Sequence, residues 1–218
     1  MVNVTVTAKD DPEWALAFSY APTEGRAALK ALFALDAALG QVLRTTREPM
    51  VGQMRLAWWR EALARLDSAA PPGEPVLQAL ATEVLPFGVT GRALADMVDG
   101  WEPLLASVGE REIAAHAQFR GETLFEQAGI ALGATGDPLS EAGRGWALAD
   151  LATHLSDAAW SSHAREAARP LLASAVSRRW SRAGRALGAL THIARMDLAG
   201  PATPRRVVRL AWHRLTGR

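Results

Sequence analysis

The sequence predicts an all-α domain. Three observations carry that prediction. The chain is rich in Ala, Leu and Arg, all good helix formers. Val and Ile are sparse. Strict apolar–polar alternation occurs only at Val2–Thr7, and a lone strand has nothing to pair with, so residues 1–9 are expected to be a frayed end.

Taken in order, Asp10 or Asp11 is placed to cap a first helix with Pro12 in its opening turn. A second helix runs from about Thr23 to Arg44, and Pro49 opens a third that reaches about Asp67. Ser68 to Pro75 is too rich in proline for a helix and forms a loop. Val76 to Val84 is short, stopped by Pro86 and Gly88. Thr90 caps the next helix, which Pro103 kinks. Glu110 to Leu132 is long, Thr135 to Pro138 is a turn, and Glu141 to Asp157 is helical. Ser162 to Leu198 is expected to be interrupted at Pro170, and Gly200 to Pro204 separates a last, basic helix. No linker is long enough to separate one domain from another, so residues 1–218 read as a single domain of roughly eight to ten helices.

Composition narrows the classes. The chain has 218 residues and a formal charge of +1, with no dense basic block before its C-terminus, which argues against a nucleic-acid partner. It has no cysteine, which excludes disulfides and thiolate chemistry. Met1 to Lys9 lacks the basic start and apolar core of a secretory signal, and no uncharged apolar run reaches about 18 residues. A cytoplasmic protein is the expectation, with contact at the inner face of a membrane if the last helix provides it.

Several side chains stand out. Leu29, Leu32, Leu39 and Leu43 make one apolar stripe on the second helix, and Asp36 lies on that stripe. A carboxylate there must be partly wet, line a cavity or meet a cation, because burying an unpaired charge is very costly. Asp36, Gly40 and Arg44 follow one another at intervals of four. Trp58 and Trp59 are adjacent, so they point about 100° apart, one toward the core and one toward a helix seam. Arg55 and Arg60 flank them as ion-pairing candidates. Asp150, His154 and Asp157, spaced by four and three, share a helix face and read either as a weak metal triad or as an ion-paired surface. No His-Glu-x-x-His, Gly-x-Ser-x-Gly, phosphate-binding or dinucleotide loop occurs. In the last helix Val208, Ala211, Trp212 and Leu215 form one face, with Arg205, Arg206, Arg209 and His213 largely off it. That pattern fits either an anionic membrane surface, with Arg205, Arg206, Arg209 and Trp212 as the contacts, or a helix docked on the bundle.

In order and spacing, a set of segments resembles the squalene/phytoene synthase family. They are Leu16–Pro22 followed by Arg26, Ala31–Leu35, Arg55–Arg60, Pro75–Leu80, Leu94–Trp101, and Ala117–Phe125 followed by Ala131–Gly133. The resemblance implies the isoprenoid-synthase α-fold and a prenyl pocket to which Phe33, Arg55, Trp58, Trp59, Phe119 and Phe125 are candidates. It also implies two aspartate clusters that hold Mg²⁺ and clamp a departing diphosphate, because hard cations with oxygen ligands stabilise that charge. Here the first cluster is replaced by Gly40, Gln41 and Arg44: no ligand atom, one neutral oxygen and a fixed positive charge. The second leaves only Asp150, His154 and Asp157, and the segment expected after it is replaced by Trp160–Arg165. No metal or cofactor is therefore expected, and no confident catalytic residue. The family has a branch with similarly eroded motifs, a mitochondrial complex I assembly factor, and the chain resembles it. The expectation is a non-catalytic assembly or interaction factor with a protein partner, at the membrane surface. The alternatives are an active head-to-head prenyltransferase using Asp36, Asp150 and Asp157 with Mg²⁺, and an isoprenoid- or lipid-binding module.

Overall fold

A computed structural model describes residues 11–201 and 203–218. The Val2–Thr7 segment and Asp10 lie outside the described residues. Helices run in the order α1 (Pro12–Ser19), α2 (Arg26–Thr45), α3 (Pro49–Arg65), α4 (Pro75–Glu83), α5 (Gly91–Ala95), α6 (Glu110–Ala115), α7 (Thr123–Leu132), α8 (Leu139–His154), α9 (Ala158–Ser177), α10 (Arg185–Ala199) and α11 (Pro204–Thr216). No strand occurs among the described residues.

Local chemistry explains most boundaries. Asp11 caps α1 by accepting from the Glu13 amide at 2.8 Å, and Pro12 supplies the first turn. Thr90 caps α5 through the Ala93 amide. The kinked helix expected after Thr90 is instead α5 and two 3₁₀ turns, Asp96–Gly100 and Glu102–Leu105. α6 and α7 form one long rod through a π-helical turn, His116–Glu122. The rod ends at Gly133, whose φ of 72° lets the Ala134 amide turn back to the Gly129 carbonyl. Pro170 does not interrupt the chain: α9 passes through it. Pro170 is exposed, so water can reach the carbonyl that loses its amide partner. The break falls later, between α9 and α10.

α8 is the hub. It packs on α7, α9, α10 and the π turn, while α2 lies against α4 and α7. The α8–π contact is close because Gly121 and Gly143 face each other; a Cβ on either would collide with the other's carbonyl oxygen. Trp59 is buried and Trp58 is 48% exposed, their rings meeting edge to face at 5.2 Å. No described helix is long and apolar enough to cross a membrane.

Candidate functional site: a buried guanidinium between two aspartates

A cavity of about 380 Å³ opens between α2, α8, α10 and the start of α1. Aromatic side chains form its apolar wall. Phe33 packs edge-on against Trp14 and Trp146, both at 5.5 Å, and Phe125 stands behind it at 6.4 Å.

At its floor lies Arg120, 4% exposed. Its Nε donates to Asp36 Oδ1 at 2.7 Å and its Nη2 to Asp36 Oδ2 at 2.8 Å. Its Nη1 donates to Asp150 Oδ2 at 2.6 Å and to His116 Nε2 at 3.0 Å. The direction of the last bond follows from chemistry: a guanidinium only donates, so Nε2 accepts and His116 Nδ1–H donates to the Gly100 carbonyl at 2.7 Å. Trp101 and Trp146 close over the guanidinium, at 4.4 and 4.6 Å from its carbon. A fork matched to one carboxylate and stacked between indoles is geometry that arginine can supply and lysine cannot.

Three elements must meet for this. Asp36 comes from α2, Asp150 from α8 and Arg120 from the π turn. Gly100 makes room, since a Cβ there would sit 2.9 Å from Arg120 Cβ. Electrostatics keep the group ionised: burial alone would lower the Arg120 pKa, yet Asp36 and Asp150 hold it above the ordinary value. Burial likewise opposes ionisation of Asp150, but Arg120 outweighs it and holds the carboxyl below its usual range. Burial, with Arg120 beside it, pushes His116 down to about 3, so its ring is neutral.

Asp36, Asp150 and His154 thus come together around the cavity, with His154 Nδ1 on the Asp150 carbonyl at 2.7 Å. Asp157 does not join them. α8 ends at His154, the shared face ends with it, and Asp157 caps α9 through the Ala159 and Trp160 amides. Gly40 lies on the cavity wall against Trp101, and a Cβ there would be 3.0 Å from the indole. Arg44 also lines the cavity. Its Nε donates to Gln41 Oε1 at 2.7 Å, and burial lowers its pKa.

Of the pocket candidates, Phe33 lines the cavity and Phe125 is buried behind it. Arg55, Trp58, Trp59 and Phe119 do not line it. Arg55 is on the surface, donating to the Thr45 and Thr46 hydroxyls. Arg60 pairs with Asp99 and with Glu102, the latter at 2.8 Å. The residues that sequence reasoning passed over are Arg120, His116, Trp101 and Trp146. One signal bore on them: Asp36, on an apolar stripe, had to be partly wet, line a cavity or find a partner on a neighbouring helix.

These residues do not fit a Mg²⁺ site of the aspartate-clamp kind. Both Asp36 oxygens and one of Asp150 are taken by Arg120, Gly40 offers no ligand, and the Gln41 oxygen accepts from Arg44. Among the described residues no three His, Asp or Glu side chains are arranged to hold a metal ion.

The membrane-surface candidates separate too. Arg205, Arg209 and Trp212 lie on the outside of α11, but Arg206 is buried and does not belong to that surface. It reaches Glu13 at 2.7 Å and Asp197 at 2.5 Å, tying α11 to α1 and α10.

Comparison with known proteins agrees with this architecture. The chain superposes on a crystal structure of a dehydrosqualene synthase in complex with ligand, with a TM-score of 0.71 over 95% of this chain and 92% of that one, at 13% identity, a likeness of fold. Over 105 residues, 48% of this chain, it is 30% identical to NADH dehydrogenase (ubiquinone) complex I, assembly factor 6 of Bos taurus and 31% identical to that of Homo sapiens. The matched stretch is 32% of the length of each of these relatives. The squalene/phytoene synthase family model matches residues 7–107, just under half of this chain, and that segment is similar to the family.

Proposed function

We propose that this chain is a non-catalytic relative of the squalene/phytoene synthases, an assembly or interaction factor that binds a protein partner and works at a membrane surface. The observation that supports it best is the commitment of Asp36 and Asp150 to Arg120. Ionising a prenyl diphosphate calls for positive charge held on free oxygen ligands. In this cavity the ligand oxygens are already neutralised by a fixed internal cation. The curated relatives named as complex I assembly factors support the same role. So does the exposed apolar edge of α3, where Met50, Met54 and Trp58 are 73%, 68% and 48% exposed.

Incubation with farnesyl or geranylgeranyl diphosphate and Mg²⁺ tests the proposal. No diphosphate release above the buffer rate is expected. Turnover that Asp150→Ala abolishes would overturn it and restore the prenyltransferase alternative.

The cavity favours one second reading, an isoprenoid- or lipid-binding module. Its volume falls in the range of small-molecule sites, and Trp14, Phe33, Trp101 and Trp146 line it. Quenching of tryptophan emission on titration with farnesol, lost in Phe33→Asp, is the measurement for that reading.

A further inference from the structure

The amphipathic character of α11 is inverted. A helix on a globular domain ordinarily turns its apolar stripe to the core. α11 instead buries Arg206, Leu210 and His213 against the bundle. On the opposite side Val208, Trp212 and Leu215 stand 70%, 55% and 78% exposed. The apolar ridge is convex and has no covering element among the described residues.

The surroundings of that ridge are cationic. α11 contains no acidic residue. At about 100° per residue, Arg205 and Arg209 fall on one side of the ridge and Arg214 on the other. The turn between α9 and α10 brings in Arg178, Arg179 and Arg182, all exposed or half-exposed. Arg179 Nε donates to the Thr216 carbonyl at 3.2 Å, which fixes this turn beside the end of α11. None of these six arginines makes an ion pair among the described residues. Asp137, the nearby acid, is held by the Ser181 amide and hydroxyl at 2.7 and 2.6 Å.

Ridge and charge meet in one place. A second cavity of about 290 Å³ is lined by Tyr20, Arg182, Arg185, Arg214 and Leu215. Arg214 lies over the Tyr20 ring at 5.0 Å. Arg185, buried at its floor, donates to the His213 carbonyl at 3.0 Å and to the Arg214 carbonyl, and among the described residues it makes no ion pair with a carboxylate.

We propose that α11 and the α9–α10 turn form a docking face for an anionic phospholipid bilayer, with Trp212 and Leu215 entering the headgroup layer and a lipid phosphate seated against Arg182 and Arg214. The proposal rests on the reading of this chain as a factor working at a membrane surface, and gives that reading a site. Charge complementarity selects the occupant. A convex apolar ridge rimmed by arginines suits a soft anionic interface, which needs no matching groove.

The test is co-sedimentation of the full chain with phosphatidylcholine vesicles containing or lacking phosphatidylglycerol. Binding to the anionic vesicles alone is expected, weakening as salt rises. Arg182→Gln and Arg214→Gln should each lower it about fivefold. Trp212→Ala with Leu215→Ala should lower it further, and Arg92→Gln, exposed on α5, should leave it unchanged. All of these positions are exposed, Arg214 with its ring contact to Tyr20, and circular dichroism of each variant checks the fold. Anionic binding that survives the Arg182, Arg214 and Trp212 changes would sink the site and leave the membrane reading standing. Failure of the unaltered chain to bind either vesicle would remove both. Capture by an acidic protein through these arginines, without vesicle binding, would assign the face to a protein and overturn the proposal.

Discussion

Arg120 and Asp36 are 84 residues apart in sequence and joined by two parallel hydrogen bonds, at 2.7 and 2.8 Å, in a site where neither side chain is more than 9% exposed. A buried pair of this kind is costly to break from one side, because the remaining partner is left charged without compensation. Arg120→Ala strands Asp36 and Asp150 together. The expected loss is about 3–5 kcal/mol of unfolding free energy, read from urea denaturation. Arg120→Lys should lose a large share of this, since an ammonium cannot make the fork or stack between Trp101 and Trp146. The paired change Arg120→Met with Asp36→Leu should be less damaging than Arg120→Ala alone. A larger loss in the pair would show that the ion pair is net stabilising beyond what its absence exposes.

Gly40 lines the cavity against Trp101, at a position where the resemblance to the squalene/phytoene synthase family implies a metal-binding carboxylate. Gly40→Asp tests whether the missing ligand alone silences the site. The new Cβ meets Trp101 at 3.0 Å, so the indole that covers Arg120 must shift. A destabilisation of about 1–3 kcal/mol is expected from overpacking. Mg²⁺ should neither raise the melting temperature of this variant nor produce diphosphate release, because Asp36 and Asp150 stay on Arg120. A Mg²⁺-dependent rise in melting temperature would mean that the ion pair yields to a metal.

Three buried histidines make stability depend on pH. Burial holds His116 and His192 down to about 3 and His213 down to about 4. His192 and His213 lie together, ring centroids 4.8 Å apart, and His192 Nε2 and His213 Nδ1 are buried without hydrogen-bond partners. The ordinary histidine value in the unfolded chain is about 6.5. The unfolded chain therefore takes up protons that the fold refuses. Stability is complete above about pH 6.5 and falls as pH drops toward 4, by roughly 1.4 kcal/mol per pH unit for each histidine. Urea midpoints between pH 7 and 5 measure this, and His192→Asn should make the slope shallower by roughly a third.

The limits of the sequence reading have physical causes. Apolar periodicity and caps located the helices, because both act within a turn or two: Asp11 and Thr90 begin elements, and Gly133 ends one, where their chemistry directs. Asp36 was legible as a carboxylate in need of a partner. Its partner was not, since helical spacing relates residues on one helix and Arg120 approaches from another. The π turn adds to this, as it shifts the register of a rod that reads as continuous helix. Asp157 misled for the opposite reason: the spacing that puts it with Asp150 and His154 holds only while the helix lasts, and α8 stops at His154. On α11 the apolar face was correctly drawn, but which face docks depends on Glu13 and Asp197, which draw Arg206 inward.

That inward arginine gives a sharp contrast between neighbours. Arg205 and Arg206 adjoin in a basic run, and composition treats them alike. Arg206 closes a bridge to Glu13 on α1 and Asp197 on α10, and burial raises the pKa of both acids despite its charge. Arg206→Ala would leave two partly buried carboxylates facing each other and loosen the seat of α11. A loss of about 1–3 kcal/mol is expected, below the range for a fully buried pair because Asp197 is 44% exposed. Arg205→Ala should stay within about 0.5 kcal/mol of the unaltered chain. Hydrogen exchange separates the causes: amides of α11 should exchange faster in Arg206→Ala while those of α8 keep their protection. Uniform loss across both helices would mean that α11 does not open on its own.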